Sequence, residues 1–521
     1  MSVRRTSFLV AALVVAAAAP ASLAATRTPQ PACSSGPAPG GDWPAYGHDV
    51  ANSRTQSLED GISPATVQGL HAAWTFDTAT ASGAADNGVF NGTPIEANGC
   101  LFTASTAGFV YALNAATGGA VWQRHFTVPA AGGGGVFVGE AALYKGAVIL
   151  FVDRASGPYL VALDEHTGAT RWTSAPVYRY PGGYTNATPQ VFGGVVFAGF
   201  SPPEGDPKAV GGFALLDASS GQILTVTPTI PAVDVRKGYA GGGIWSTPAY
   251  DPVSKYAYVG AGNPYSRSVE HKNTNAILKI DLNRERATFG QIVASYKGNV
   301  DQYAKTLQTL SKSPACTVGS DQTLPLDDPA CGQLDLDFGA SPNLFRGSDG
   351  RLLVGDLQKS GVYHVADAAT MKPAWTMVVG GSCALCNAAS TAADATGVYA
   401  EGTPGGVLWS IAHTGTRRWA SPVGDGAHYE AISTAGGVAY TIDNYGTFGA
   451  WDAASGAPLL RHALSQDTHN ADFAPTSAGI TIADHTVFVS AGKGSGAGVA
   501  AIGVPPPAGT SSGVIIAYRL R

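Results

Sequence analysis

Charge is scarce in this sequence. Of its 521 residues only 13% are Asp, Glu, Lys or Arg, the formal net charge is −6, and no run of like sign interrupts that dilution. Nucleic acid and anionic membrane surfaces are gripped through dense basic patches, so the composition argues against both as partners. Cysteine is sparse as well, with six in the chain. Cys383 and Cys386 form a C-x-x-C pair, but Asn387 follows where covalent haem attachment needs His, so a c-type haem is not supported. A local disulfide is the plain reading of that pair, with a redox dithiol or half of a zinc site as alternatives. Cys316 and Cys331 bracket one polar loop as a second candidate bridge, which leaves Cys33 with Cys100.

Long apolar runs are missing, with one exception. Phe8 to Ala19 is apolar, follows Arg4 and Arg5, and gives way to Pro20 and small residues ending in Ser-Leu-Ala. It is short for a bilayer span and has the three-part layout of a secretory signal, with cleavage expected after Ala24. The expectation is therefore a signal peptide over 1–24, a flexible segment over 25–40, and an exported protein, periplasmic or secreted, with no integral membrane segment after cleavage.

What the chain has in quantity is glycine, at 67, with 33 prolines and 20 tyrosines, a turn-rich all-β composition. One phrase recurs: apolar alternation ending near Ala-Leu-Asp, a small-residue turn, then a strand that often carries Trp. It reads FVYALNAATGGAVWQRHF from 109, YLVALDEHTGATRWTS from 159, GFALLDASSGQILTV from 212 and AILKIDLNRERATFGQIVAS from 276. It returns as GVYHVADAATMKPAWTMVV from 361, GVLWSIAHTGTRRWASPV from 406 and GTFGAWDAASGAPLLRHA from 446. Period-two alternation buries one face, and Asp-x-x-x-Gly supplies the turn hydrogen bonds and the positive φ, so each copy is a hairpin.

Further short apolar strands lie between the copies, making each repeat a small antiparallel sheet. An eighth copy is split: the chain ends in GVIIAYRLR with no Trp strand after it, while VQGLHAAWTFDT near the start has a Trp strand with no partner before it. Joining the two closes a ring. The fold class predicted is all-β, one eight-bladed β-propeller of four-stranded antiparallel blades over residues 41–521, with a polar insertion at 297–335.

Residues 40–56, GGDWPAYGHDVANSRTQ, the Trp-strand repeats, and residues 241–264, GGGIWSTPAYDPVSKYAYVGAGNP, together resemble the pyrroloquinoline-quinone (PQQ) dependent alcohol dehydrogenases. LDLDFGASPNLF from 334 and LLVGDLQKSGVYHVADAAT from 352 resemble in particular the branch that includes polyvinyl alcohol dehydrogenases. The resemblance implies PQQ and Ca²⁺ as cofactors, an alcohol substrate, and an external electron acceptor such as a cytochrome c. It also implies site residues. Trp245 is the aromatic floor under the quinone, and Asn263, eighteen residues later, ligates the calcium ion. Ser201 contacts the quinone and Glu204 is a second calcium ligand. Asp337 binds the ion and takes the alcohol proton, with Asp335 as its competitor, and Lys359 hydrogen-bonds the quinone oxygen at which hydride arrives.

Taken singly, Asn263 before Pro264 reads as a turn residue, Glu204 as a solvated loop acid and Lys359 as an exposed turn lysine; the joint spacing of Trp245 and Asn263, and for Lys359 the family likeness of the surrounding sequence, favour the site. Three features depart from the family pattern. Residues 128–141, VPAAGGGGVFVGEA, hold neither the adjacent-cysteine disulfide that covers the quinone in many relatives nor an arginine for its carboxylates, and Gly243 stands where a hydroxyl residue often helps hold PQQ. The competing readings are a non-catalytic propeller that binds envelope proteins and a glycan-binding propeller, which needs an exposed aromatic row.

Overall fold

The structure is a computed structural model describing residues 33, 36 and 39–521, except 83–87, 129–135, 138, 267–269, 300–335, 382–386, 403–405, 425–429, 444–445, 469–478 and 494–511. Residues 1–24, Asp335, Cys316, Cys331, Cys383, Cys386, the glycine run at 132–135 and most of the 297–335 insertion lie outside the described residues. Cys33 and Cys100 form a disulfide.

Eight sheets form the ring, each with at least four strands. Blades 1 to 8 occupy residues 95–125, 142–173, 190–228, 249–297, 343–378, 392–422, 433–463 and 481–519. The last is completed by His71–Asp77, antiparallel to Ser512–Arg519, so the split copy of the repeat does close the ring. In a typical blade the second and third strands are buried on both faces, because each sheet is packed between two others. Ala147–Val152 is buried at every position, whereas the outermost strand of blade 3, Ile223–Pro228, alternates half-buried and exposed.

The recurring phrase turns out to be a blade-to-blade joint. The indole N–H of Trp122 in blade 1 donates to the Glu165 carbonyl in the turn of blade 2 at 2.8 Å. The ring lies on Gly168, where an added Cβ would come within 2.7 Å of it and where φ is +67°, a conformation glycine adopts without strain. Asp164 builds that turn by accepting from the backbone N–H groups of His166 and Thr167. Trp74, Trp172, Trp375 and Trp419 make the same donation to Ala115, Ala218, His413 and Ala453 of the following blade. Between blades 4 and 5, where the outer strand has no Trp, Tyr258 and Lys279 both donate to the Ala368 carbonyl, each at 2.8 Å.

A second joint runs around the inner strands. The backbone N–H of Thr247 donates to Ser341 Oγ, that of Ser341 to Ser390 Oγ, that of Glu140 to Thr188 Oγ1 and that of Gly479 to Thr93 Oγ1. Each acceptor belongs to the next blade. The carbonyls of Val50, Ala51, Ser53 and Arg54 accept from Tyr250, Leu344, Ala393 and Thr434, so the segment resembling the family's opening motif stitches the inner edges of blades 4 to 7. Arg54 is fully buried there, its guanidinium donating to the Ile432 and Tyr46 carbonyls and to Ser433 Oγ.

Replacing Trp122, 8% exposed, by Ala removes an indole from the joint of blades 1 and 2. The expected loss is about 3–5 kcal/mol of stability in chemical unfolding. A loss below about 1 kcal/mol, the scale of an ordinary surface change, would show that the joint does not hold the ring.

Candidate functional site

All six residues singled out in the sequence sit at one end of blades 3 to 5, where second strands finish and inner strands begin. Val195–Phe200 is a fully buried strand of blade 3 that runs out at Ser201. Ser201 exchanges two backbone hydrogen bonds with Tyr184, at 2.8 and 3.1 Å, and is 2% exposed. Its hydroxyl oxygen has no partner among the described residues. Opposite it lies Gly243, where a Cβ would approach Ser201 Oγ to 2.6 Å. The missing hydroxyl at 243 thus has a local cause: the side chain of Ser201 fills the space that a residue there would need.

In blade 4 the glycine run pairs with the segment around Asn263. Gly242 N–H donates to the Asn263 carbonyl at 2.8 Å and Gly262 N–H to the Gly243 carbonyl at 2.7 Å, while Gly241 bridges Pro264. Gly241 has φ +96°, and a Cβ there would stand 2.2 Å from the Asn263 carbonyl oxygen, so only glycine fits. This clasp is what the eighteen-residue spacing encodes: Trp245 and Asn263 lie on the two arms of one hairpin, Asn263 in the clasp itself and Trp245 between it and the strand Ala249–Asp251. Asn263 is 5% exposed, so it is shielded from bulk solvent.

Blade 5 brings Asp337 and Lys359 side by side. Phe338 forms an antiparallel bridge with Gln358, and Lys359 N–H donates to the Asp337 carbonyl at 3.0 Å. Their side chains then meet in a buried ion pair, Lys359 Nζ to Asp337 Oδ1 at 2.7 Å, with exposures of 6% and 2%. The other carboxylate oxygen, Oδ2, accepts from Trp245 Nε1 at 2.9 Å, and Lys359 Nζ stands 5.0 Å from the Trp245 ring centroid. The indole rests on Gly339, where a Cβ would lie 2.2 Å from it. Asn387 Nδ2 donates to the Lys359 carbonyl at 3.1 Å, which fixes the loop from blade 6.

Ser201, Glu204, Trp245, Asn263, Asp337 and Lys359 all line a single cavity of about 340 Å³. Tyr184, Asn186 and Tyr265 share the wall, and sequence reasoning did not single them out. Asn186 Oδ1 is buried without a partner among the described residues. A signal for it existed: Asn186-Ala187-Thr188-Pro189 precedes the inner strand of blade 3 as Trp245-Ser246-Thr247-Pro248 precedes that of blade 4, so Asn186 holds the register position of Trp245. Burial, and then the nearby Glu204 carboxylate, push the phenols of Tyr184 and Tyr265 up, keeping them as hydroxyl donors.

An aromatic ring, buried acceptors without partners and a set of carboxylate and amide oxygens suit a flat polar heterocycle beside a hard cation. The residues present therefore fit PQQ and calcium.

Comparison with known proteins follows the same line. Residues 43–169 match the family model described as glucose/ethanol/alcohol dehydrogenase, beta-propeller domain, and residues 405–503 that of outer membrane protein assembly factor BamB. A polyvinylalcohol dehydrogenase of Sphingopyxis sp. (strain 113P3) is 29% identical over 84% of this chain and 70% of its own length. One from Pseudomonas sp is 27% identical over 62% of this chain and 49% of its own length, so this chain spans about half of that relative. The crystal structure of quinohemoprotein alcohol dehydrogenase from Comamonas testosteroni superposes with TM-score 0.69 at 16% identity, over 92% of this chain and 80% of that one. BamB from Moraxella catarrhalis reaches 0.53 at 15% identity, over 86% and 99%.

The buried ion pair makes a stability prediction. Lys359→Met strands the Asp337 carboxylate and should cost about 3–5 kcal/mol in urea unfolding, most of it regained by adding Asp337→Leu. A single variant as stable as the parent would contradict the pairing.

Proposed function

We propose that this chain, which matches the PQQ-dependent alcohol dehydrogenase family in sequence and fold, is an exported quinoprotein dehydrogenase, periplasmic or secreted, that oxidises secondary or polymeric alcohols. The observation that carries this reading is the meeting of Trp245, Ser201, Glu204, Asn263, Asp337 and Lys359, from three consecutive blades, around one cavity. Its domain limits are those read in the sequence, a leader over 1–24 and a propeller over 41–521. Among the described residues no helix is long and apolar enough to cross a membrane.

Bound PQQ supplies a hydride acceptor, and Ca²⁺ the Lewis acid that polarises it. The chain's residues bind, orient and move the proton. Trp245 would offer its indole face as the floor, while Ser201 and Asn186 would hydrogen-bond the polar rim of the ring system. Glu204, Asn263 and Asp337 provide hard oxygen donors for the cation. Asp337 takes the hydroxyl proton of the alcohol, oriented for it by Lys359 and the Trp245 N–H. Lys359 would also donate to the quinone oxygen. The low exposure of both groups keeps bulk water from the proton transfer. A separate acceptor such as a cytochrome c would take the electrons, Asn387 standing where the C-x-x-C pair would need His to attach a haem.

The match of residues 405–503 to the BamB model favours one alternative, a non-catalytic scaffold that binds envelope proteins. A scaffold gives no role to the buried Asp337–Lys359 pair or to the Ser201 hydroxyl, which has no partner among the described residues. The discriminating experiment is dye-linked oxidation of primary, secondary and polymeric alcohols by the purified chain reconstituted with PQQ and Ca²⁺. Turnover is expected, and Asp337→Asn should lower it about 10²–10⁴-fold, the contribution of a positioned general base. No turnover on any alcohol by the parent chain would favour the scaffold.

A further inference from the structure

Two tyrosines on the cavity wall converge on one carboxylate oxygen. Tyr265 OH donates to Glu204 Oε2 at 3.1 Å, and Tyr184 OH reaches the same atom at 3.4 Å. They approach from different blades. Tyr184 lies in the connection that enters blade 3, whereas Tyr265 follows Asn263 by two residues in blade 4 and is 6% exposed, its N–H held by the Ala240 carbonyl at 3.0 Å.

The rest of the loop carrying Glu204 is tied down in the same manner. Tyr178 OH donates to the Val210 carbonyl at 3.0 Å and Tyr180 OH to Asp206 Oδ2 at 2.8 Å. Glu204 itself is an exposed residue on a loop that opens Ser201-Pro202-Pro203. An acid so placed would ordinarily sample several rotamers in water, and binding a cation would have to freeze them. Phenol donors fixed on two blades do the freezing in advance, and hydrogen bonds to a charged acceptor are among the stronger ones.

We propose that Tyr184 and Tyr265 are positioning residues for a hard cation: their hydroxyls hold Glu204 so that it joins Asn263 and Asp337 as a ligand. The proposal rests on the reading of this cavity as the cation site. It makes the cation affinity depend on two tyrosines that act through Glu204. Preorganisation of this kind raises affinity by lowering the ordering cost of binding, with no new contact to the ion.

The test uses the full chain without quinone, titrated with Tb³⁺ as a luminescent stand-in and with Ca²⁺ by competition. Luminescence lifetimes in H₂O and D₂O report how many waters the bound ion retains, whichever aromatic group sensitises it. Tyr184→Phe/Tyr265→Phe should weaken Tb³⁺ and Ca²⁺ binding about tenfold or more, the effect of losing hydrogen bonds to a charged group. The bound ion should gain about one water in place of the displaced Glu204 oxygen. Glu204→Gln should reproduce both effects, and the cation-free melting temperature of the tyrosine variant should match the parent. Tyr184→Phe alone, at the less buried position, should shift affinity in the same direction if the double variant melts early. Unchanged affinity and hydration in the tyrosine variants, with a loss in Glu204→Gln, would overturn the positioning role alone. Unchanged binding in Glu204→Gln would remove the cation-site reading together with it.

Discussion

The docking of one blade's tryptophan on the next blade's glycine turn is the constraint from which the architecture follows. A four-stranded blade buries both faces of its middle strands only if neighbours stand on either side, so no blade is stable by itself. The Trp–Gly joint sets how neighbours meet. It needs an indole on the outer strand, a carbonyl acceptor in the turn ahead, and a turn residue without a side chain under the ring. Five of the eight interfaces use a tryptophan for this, with Trp74 closing the ring from the N-terminal side. The chain can then vary elsewhere, and the loops at the opposite ends of the strands carry the candidate site.

The candidate site is built where that scaffold leaves strand ends pointing at one another. Three short backbone clasps do the positioning: Tyr184 with Ser201, the glycine run with residues 262–264, and Phe338 with Gln358. Each brings a cavity residue to a fixed place without using its side chain. The side chains then interlock, Asp337 between Lys359 and the Trp245 indole, and Glu204 beneath two tyrosine hydroxyls. Glycines at 243 and 339 are required because Ser201 and Trp245 occupy the space beside them.

Much of this was legible in the sequence because repetition is legible. The Asp-x-x-x-Gly phrase and the split terminal copy led to eight blades and to the strand at 71–77 that closes them. Trp245, Asn263, Asp337 and Lys359 stood out because they lie in segments that resemble one family, the first two at its eighteen-residue spacing. Tyr184 and Tyr265 did not stand out: each reaches Glu204 through a loop, and no periodicity links residues 184, 204 and 265. Asn186 was within reach, since its Thr-Pro register matches that of Trp245, but register only becomes visible once the inner strands are aligned. The stitching of four inner strands by residues 50–54 was likewise hidden, because its contacts are made through backbone carbonyls that any side chain would permit.

The central claim is that this cavity binds a planar quinone with the help of a hard cation. Equilibrium titration of the purified chain with PQQ, with and without Ca²⁺, tests it most directly, followed by quenching of tryptophan emission. The account predicts one-to-one binding that Ca²⁺ strengthens and that Trp245→Ala weakens in both conditions. Absence of PQQ binding to the parent chain with Ca²⁺ present would contradict it.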